Sequence, residues 1–266
     1  MSETVMTHII ARIRTDFPTK FGIPRQSGLA DVPARIVFEP EYRNADALRG
    51  IEEYSHLWLI WQFSEAVRES WSPTVRPPKL GGNRRVGVFA TRSPFRPNAI
   101  GLSSVRLHRV EYGTPEGAVL HISGADLMDG TPIFDIKPYL PYVDAYPDAR
   151  GGFTDTTKEY ALQVVCPDAL LCKVPENKRA ALSGVLKNDP RPAYQHDPER
   201  VYTLDFGCNK VKFTVDGDIL KVGFNRRQPS RCRQRLRVAR VHLLILIHHF
   251  DKSVNVSRLE LGKLTI

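Results

Sequence analysis

The chain has 266 residues, with 38 Lys/Arg against 29 Asp/Glu for a formal net charge of +9. That length is enough for a full hydrophobic core, in one large domain or in a domain with a smaller companion. The longest apolar run, VHLLILIHHF (241–250), is broken by histidines and falls far short of the ~18–20 residues a bilayer span requires, so no membrane span is expected.

The first residues, MSETVMTHIIARIR, lack both a charged start before an apolar core and a small-residue cleavage site, so no secretory signal is read and a cytoplasmic location is expected. From there, HIIARIRT (8–15) and ARIVFEP (34–40) read as strands, because β-branched and aromatic residues recur in short runs between Gly, Pro, Asn and Asp. ADALRGIEEY (45–54) reads as a helix weakened by Gly50, at about 1 kcal/mol relative to alanine. SHLWLIWQF (55–63), RRVGVFATRS (84–93), IGLSSVRLHRV (100–110), AVLHISGADL (118–127) and TPIFDIKPYL (131–140) complete seven expected strands, a number that suggests a barrel or sandwich.

Apolar density drops near 148–152, which marks a linker. Beyond it EYALQVV (159–165) reads as a strand, ENKRAALSGVLKN (176–188) as a helix, and VKFTVDGDILKVGF (211–224) as a hairpin with a type I′ turn at Asp216-Gly217. The last forty residues differ from the rest. Residues 226–266 hold ten Lys/Arg and two Asp/Glu, a balance of +8, leaving only +1 for residues 1–225. No aromatic residue interleaves with these arginines to stack bases, which favours a terminus without a dedicated role over a nucleic-acid arm. Cys166, Cys172, Cys208 and Cys232 form no CxxC pair and have no histidines at zinc-finger spacing, so free thiols rather than a metal site are expected.

Several chemistries are disfavoured by missing motifs: there is no GxGxxG after a strand, no GxxxxGK[ST] and no GxSxG. Three blocks stand out instead: IPRQSG (23–28), FATRSPFRPNAIG (89–101) and ADLMDGTPIFDIKPYLPYVD (125–144). In the second, two prolines stiffen a loop that carries Arg92 and Arg96. In the third, strand period places Asp135, Lys137 and Tyr139 on one face, either as a working group or as a surface ladder whose ion pair contributes no more than about 1 kcal/mol. Residues 71–110 contain eight basic side chains and no carboxylate, a local positive field.

PRQSG, YRNADALRGIEEYSHLWLIWQF, TVRPPKLGGN, VGVFATRSPFRPNAIGLS and DGTPIFDIKPYLPYVD together resemble the TsaA/TrmO family of β-barrel tRNA methyltransferases. The resemblance is dense over residues 7–148, resumes at DPRPAY (189–194) and ends near 224; matched blocks of that length are highly specific. It implies a mainly β chain: a TsaA-like β-barrel methyltransferase domain (1–150), a small α+β C-terminal domain (157–225) and an unmatched basic, then apolar, tail (226–266). It further implies S-adenosylmethionine-dependent methylation of N6 of threonylcarbamoyladenosine at position 37 of tRNA, next to the anticodon, by a homodimer.

On that basis Pro24, Arg25, Gln26, Ser64, Glu65, Arg92, Leu102, Gly124, Ala125, Asp126 and Leu127 would surround the cofactor, with Ser64-Glu65 standing where the family's His-Gln is expected. S-adenosylmethionine presents a carboxylate for Arg92, an ammonium and ribose for Asp126 or Glu65, and an adenine for Leu102 to cover. Asp135 would accept the N6 proton, Lys137 would steady the carbonyl or threonyl carboxylate, and Tyr139 or Tyr142 would stack the base. Arg76, Lys79, Arg84, Arg85 and Arg96 would contact the tRNA anticodon stem-loop, with Arg191 and Tyr194 from the small domain, although a small domain that merely caps the barrel is equally consistent with those two residues. The competing reading is a non-catalytic barrel that binds RNA or an adenosyl ligand.

Overall fold

The computed structural model describes residues 4–77, 80, 84–157, 161–192 and 195–227. In chain order the first strands are β1 (Ala11–Arg14), β2 (Pro33–Phe38), β3 (His56–Gln62), β4 (Thr74–Val75), β5 (Val86–Gly87), β6 (Ile100–Thr114), β7 (Gly117–Ser123) and β8 (Pro132–Pro138). Alternation along them decides the architecture. In β3, Leu57, Leu59 and Trp61 are buried while His56, Trp58, Ile60 and Gln62 lie on the other face. The buried set packs with Ile13, Ile36, Val105, Leu120 and Ile133 in one core. Six strands close around that core in the order β1-β2-β7-β6-β3-β8, with every neighbouring pair antiparallel, which leaves no sheet edge open.

Antiparallel closure sends alternate connections to opposite rims. Registers Arg14↔Arg35, Gln62↔Ile100 and Trp61↔Ile133 gather three at one rim: residues 15–32 after β1, the excursion 63–99 between β3 and β6, and residues 124–131 between β7 and β8.

Two expected elements take another form. RRVGVFATRS is no barrel strand: only Val86 and Gly87 pair, with Thr74 and Val75, before a 3-10 turn at Val88–Ala90, and Phe89 is 72% exposed. The expected helix over 45–54 is two 3-10 turns, Ala45–Leu48 and Ile51–Glu53, parted by Gly50 at φ 85°, a left-handed conformation no α-helix continues through.

The helix α1 (Pro141–Asp144) follows the barrel. Next come β9 (Gln163–Val165), α2 (Asp168–Leu171), α3 (Glu176–Lys187), β10 (Tyr202–Phe206), β11 (Asn209–Asp216) and β12 (Ile219–Arg227). The sheet order is β10-β11-β12-β9, with β9 parallel to β12. The fold is therefore mainly β, a closed barrel with a small α+β region. Only Gly217 of the hairpin turn has a positive φ, 57°, so the turn is not the type I′ expected. Cys166 and Cys172 are free thiols, whereas Cys208 is disulfide-bonded, against expectation.

The second core is not made by the C-terminal residues alone. Phe17, Ala30 and Val32, from the connection after β1, are buried among Leu182, Leu204, Phe206 and Phe213, with Phe21 and Ile23 packed against them. Polar ties reinforce this: Arg25 Nη2 donates to the carbonyls of Asp189 (3.3 Å) and Arg191 (2.8 Å), and Asn188 Nδ2 donates to Leu29 O at 2.8 Å. Asp189, just past α3, sits at φ 46°. Its carboxylate accepts two bonds from the Arg191 guanidinium, Nε to Oδ1 at 2.9 Å and Nη2 to Oδ2 at 3.0 Å.

Arg191 is thus not placed to meet RNA, since its side chain is 6% exposed and fixes the turn that holds Arg25. Breaking a buried ion pair costs about 3–5 kcal/mol. Arg191→Ala is expected to lose that much in urea unfolding without tRNA present; unchanged stability with weakened tRNA binding would return Arg191 to an RNA role. A second test is steric. A Cβ on Gly101 would lie 2.3 Å from Trp61 Cε2, so Gly101→Ala must displace a buried indole. The expected cost is about 1–3 kcal/mol in the same measurement, and an undiminished midpoint would show that Trp61 does not need that space.

Candidate active site

The three connections at the barrel rim enclose a cavity of about 560 Å³, a volume typical of small-molecule sites. Each contributes a different chemistry. Residues 15–32 bring Pro24, Arg25 and Gln26; the excursion brings Ser64, Glu65, Arg92 and Arg96; residues 124–131 bring Asp126, Met128 and Thr131. The β3 and β6 ends supply apolar surface through Trp58, Ile100 and Leu102, the last 57% exposed although aliphatic.

Arg92 is set across the cavity from the first connection. Its Nη1 donates to Gln26 Oε1, and Gln26 Nε2 donates to Arg25 O at 2.6 Å. Arg25 itself is held by the small domain's carbonyls, so neither arginine has to be ordered when an anion arrives. The proline-stiffened loop is further closed by Arg96, whose Nη1 donates to Thr91 O (3.1 Å) and Ser93 O (3.3 Å). Arg96 therefore serves its own loop and the cavity wall, where an outward RNA contact was expected. Glu65 pairs with Lys20 at 3.1 Å.

Asp126 is the carboxylate of the site. Burial raises its pKa above the ordinary value, opposed by the Ser103 hydrogen bond, by backbone N–H groups of Asp126 and Ser27, and by the charge of Arg92. Ser103 Oγ donates to its Oδ1 at 2.5 Å. The flanking Ala125 and Leu127 do not reach the cavity: both are buried in the barrel core and fix the segment that presents Asp126. Gly124 is backbone support, its carbonyl accepting from Gly28 N at 2.8 Å.

Asp135, Lys137 and Tyr139 share one face, as strand period predicts, but none lines the cavity. β8 pairs Asp135 with Ile60 and Lys137 with Trp58, and of these four only Trp58 opens onto the cavity. Lys137 Nζ lies 2.9 Å from Asp135 Oδ2, with side chains 61% and 46% exposed, the surface ion pair that the spacing left open. Tyr139 packs on Trp58 with centroids 5.4 Å apart, and Trp58, which does line the cavity, joins the two regions. Arg76, Arg84 and Arg85 are exposed on or beside the β4–β5 ribbon; Lys79, Tyr194 and the tail beyond 227 lie outside the described residues.

Sequence reasoning missed Lys20, Trp58, Trp61, Ile100, Met128 and Thr131 as cavity residues. Ile100 carried a legible signal, since an apolar residue beside Leu102 on the outward face of a strand has no core to fill. Among the described residues no helix is long and apolar enough to cross a membrane.

The tRNA-methyltransferase O N-terminal domain model matches residues 12–145, and the TrmO C-terminal domain model matches residues 159–224. A tRNA (adenine(37)-N6)-methyltransferase of Escherichia coli K12 is 41% identical over 197 residues, which are 71% of this chain and 83% of that relative. A Pseudomonas aeruginosa protein, named as a candidate S-adenosylmethionine-dependent methyltransferase, is 43% identical over 210 residues, 74% of this chain and 88% of its own. The crystal structure of TrmO from Pseudomonas aeruginosa matches with a TM-score of 0.67 at 32% identity, covering 84% of this chain and 100% of that one. The fold thus has solved counterparts, and the chain belongs to the tRNA-methyltransferase O family.

Proposed function

We propose that this chain is a tRNA (adenine-N6)-methyltransferase that uses S-adenosylmethionine and acts at adenine 37 in its threonylcarbamoylated form. The observation that carries the reading is the convergence of Arg25, Arg92 and Asp126 on one apolar-walled rim cavity in a member of this family.

The donor set fits the cofactor. Arg92, already hydrogen-bonded from across the cavity, offers a guanidinium to the methionyl carboxylate; Asp126 accepts from the ammonium or ribose; Ile100, Leu102 and Trp58 provide the apolar surface an adenine requires. When bound, S-adenosylmethionine supplies an electrophilic methyl on a sulfonium, and the protein's part is mainly alignment. The partial burial of Asp126 strengthens its attraction for a cation.

Asp135 enters this reading from outside the cavity lining, on the face where Trp58 meets Lys137 and Tyr139. We assign it the N6 proton of a base laid against Trp58 and Tyr139, with Lys137 toward the threonylcarbamoyl oxygens. The exposed arginines 76, 84 and 85 would meet phosphate, so tRNA binding should weaken steeply with salt. A homodimer and the cytoplasm are the expected assembly and compartment. Residues 1–150 are read as the catalytic domain and 157–225 as its companion.

Incubation with methyl-labelled S-adenosylmethionine and tRNA lacking this methyl group is expected to label adenine 37; binding without transfer would instead support the non-catalytic barrel. Asp135→Asn is expected to reduce transfer by a factor of about 100 or more while cofactor binding persists, and full activity would remove Asp135 from the mechanism.

The raised pKa of Asp126 has a definite sign. Its native state favours the neutral form, so its stability contribution is present below the unfolded carboxyl value and is lost as pH rises through the folded one. A cation needs the ionised form. Cofactor affinity is therefore expected to strengthen as pH rises through that raised value, in calorimetric titrations, and Asp126→Asn to flatten the profile; a wild-type profile flat throughout the acid range would contradict the assignment.

A further inference from the structure

Asp126 does not choose its orientation alone. Trp61, on β3, donates from Nε1 to Ser103 Oγ at 3.0 Å, and Ser103, on β6, donates to Asp126 Oδ1 at 2.5 Å. Both partners are sealed in: Ser103 is 1% and Trp61 5% exposed. The register explains how they meet, since Leu59 pairs with Ser103 and Trp61 with Gly101, and only a residue without a Cβ at 101 leaves room for the indole.

With Asp126 ionised, this chain of bonds has one polarity. An indole nitrogen only donates, whereas a serine hydroxyl has one proton and accepting lone pairs. With its lone pair engaged by Trp61, Ser103 turns its proton toward the carboxylate. Oδ1 is thereby held as an acceptor, and Oδ2, which meets no side-chain donor, is the oxygen better placed to exchange a proton or receive a cation. Hydrogen bonds in series also polarise one another in a dry site.

We propose that Ser103, oriented by Trp61, is a positioning residue that sets which oxygen of Asp126 meets the cofactor. The proposal rests on the reading of the rim cavity as an S-adenosylmethionine site. The other groups acting on Asp126 are Arg92 from the excursion and the backbone N–H groups of Ser27 and Asp126. On the remaining cavity wall the ionisable side chains are Arg25, Arg96 and the mutually paired Lys20 and Glu65.

The test is calorimetric titration of the full chain with S-adenosylmethionine across the acid-to-neutral range, with thermal melts of each variant. Ser103→Ala removes one hydroxyl and is expected to weaken binding about tenfold at neutral pH, as for a lost hydrogen bond to a charged group, and to move the pH midpoint upward. Ser103→Thr should restore both, and Trp61→Phe should shift the midpoint in the same direction by less. Wild-type affinity and midpoint in Ser103→Ala, with normal binding by the parent, would overturn the proposal and leave the cavity assignment standing. Absence of binding by the parent at every pH would overturn the cavity assignment and the proposal with it. Should Ser103→Ala fail to fold, Trp61→Phe decides: a raised midpoint supports the proposal and an unchanged one overturns it.

Discussion

A carboxyl group taken out of water must either find donors or give up its charge, and at this barrel rim Asp126 meets hydrogen-bond donors and one positive charge, from three directions. Ser103 reaches it from β6, the Ser27 backbone from the connection after β1, and the field of Arg92 from the proline-stiffened excursion. Each contact requires a different connection to be in place. The carboxylate therefore works only when the rim is fully assembled, and the closed barrel is the device that assembles it.

The small α+β region takes part in that assembly. Phe17, Ala30 and Val32 belong to its core, and its backbone carbonyls hold Arg25. The loop that carries Pro24, Arg25 and Gln26 is thus anchored on one side by the barrel and on the other by a separate hydrophobic cluster. This gives the C-terminal region a structural task at the cavity that precedes any contact with RNA, and it accounts for Arg191 being buried rather than displayed.

The barrel was largely legible because its six strands are short runs of β-branched and aromatic residues parted by Gly, Pro, Asn and Asp, and two of them, β1 and β3, also alternate in burial along their length. RRVGVFATRS misled because Val86, Val88 and Phe89 imitate such a run, although Phe89 has no core to enter. ADALRGIEEY failed as a helix at a single residue, Gly50, whose left-handed φ depends on where the chain must turn. Arg92, Arg25 and Asp126 were legible through their family blocks and their charge. Ser103 and Trp61 were not: their roles arise from cross-strand register and from the space at Gly101, which no local pattern encodes. Asp135, Lys137 and Tyr139 share a face as read, but a period cannot say which members of a face open onto a cavity.

The central claim is that the rim cavity holds the methyl donor between Arg92 and Asp126. A crystal structure with S-adenosylhomocysteine tests it most directly. The account predicts the ligand carboxylate on Arg92, its ammonium or ribose on Asp126 Oδ2, and its adenine against Leu102. Ligand seated elsewhere on the barrel, with Arg92 still bound only to Gln26 and Asp126 only to Ser103 and backbone, would contradict it.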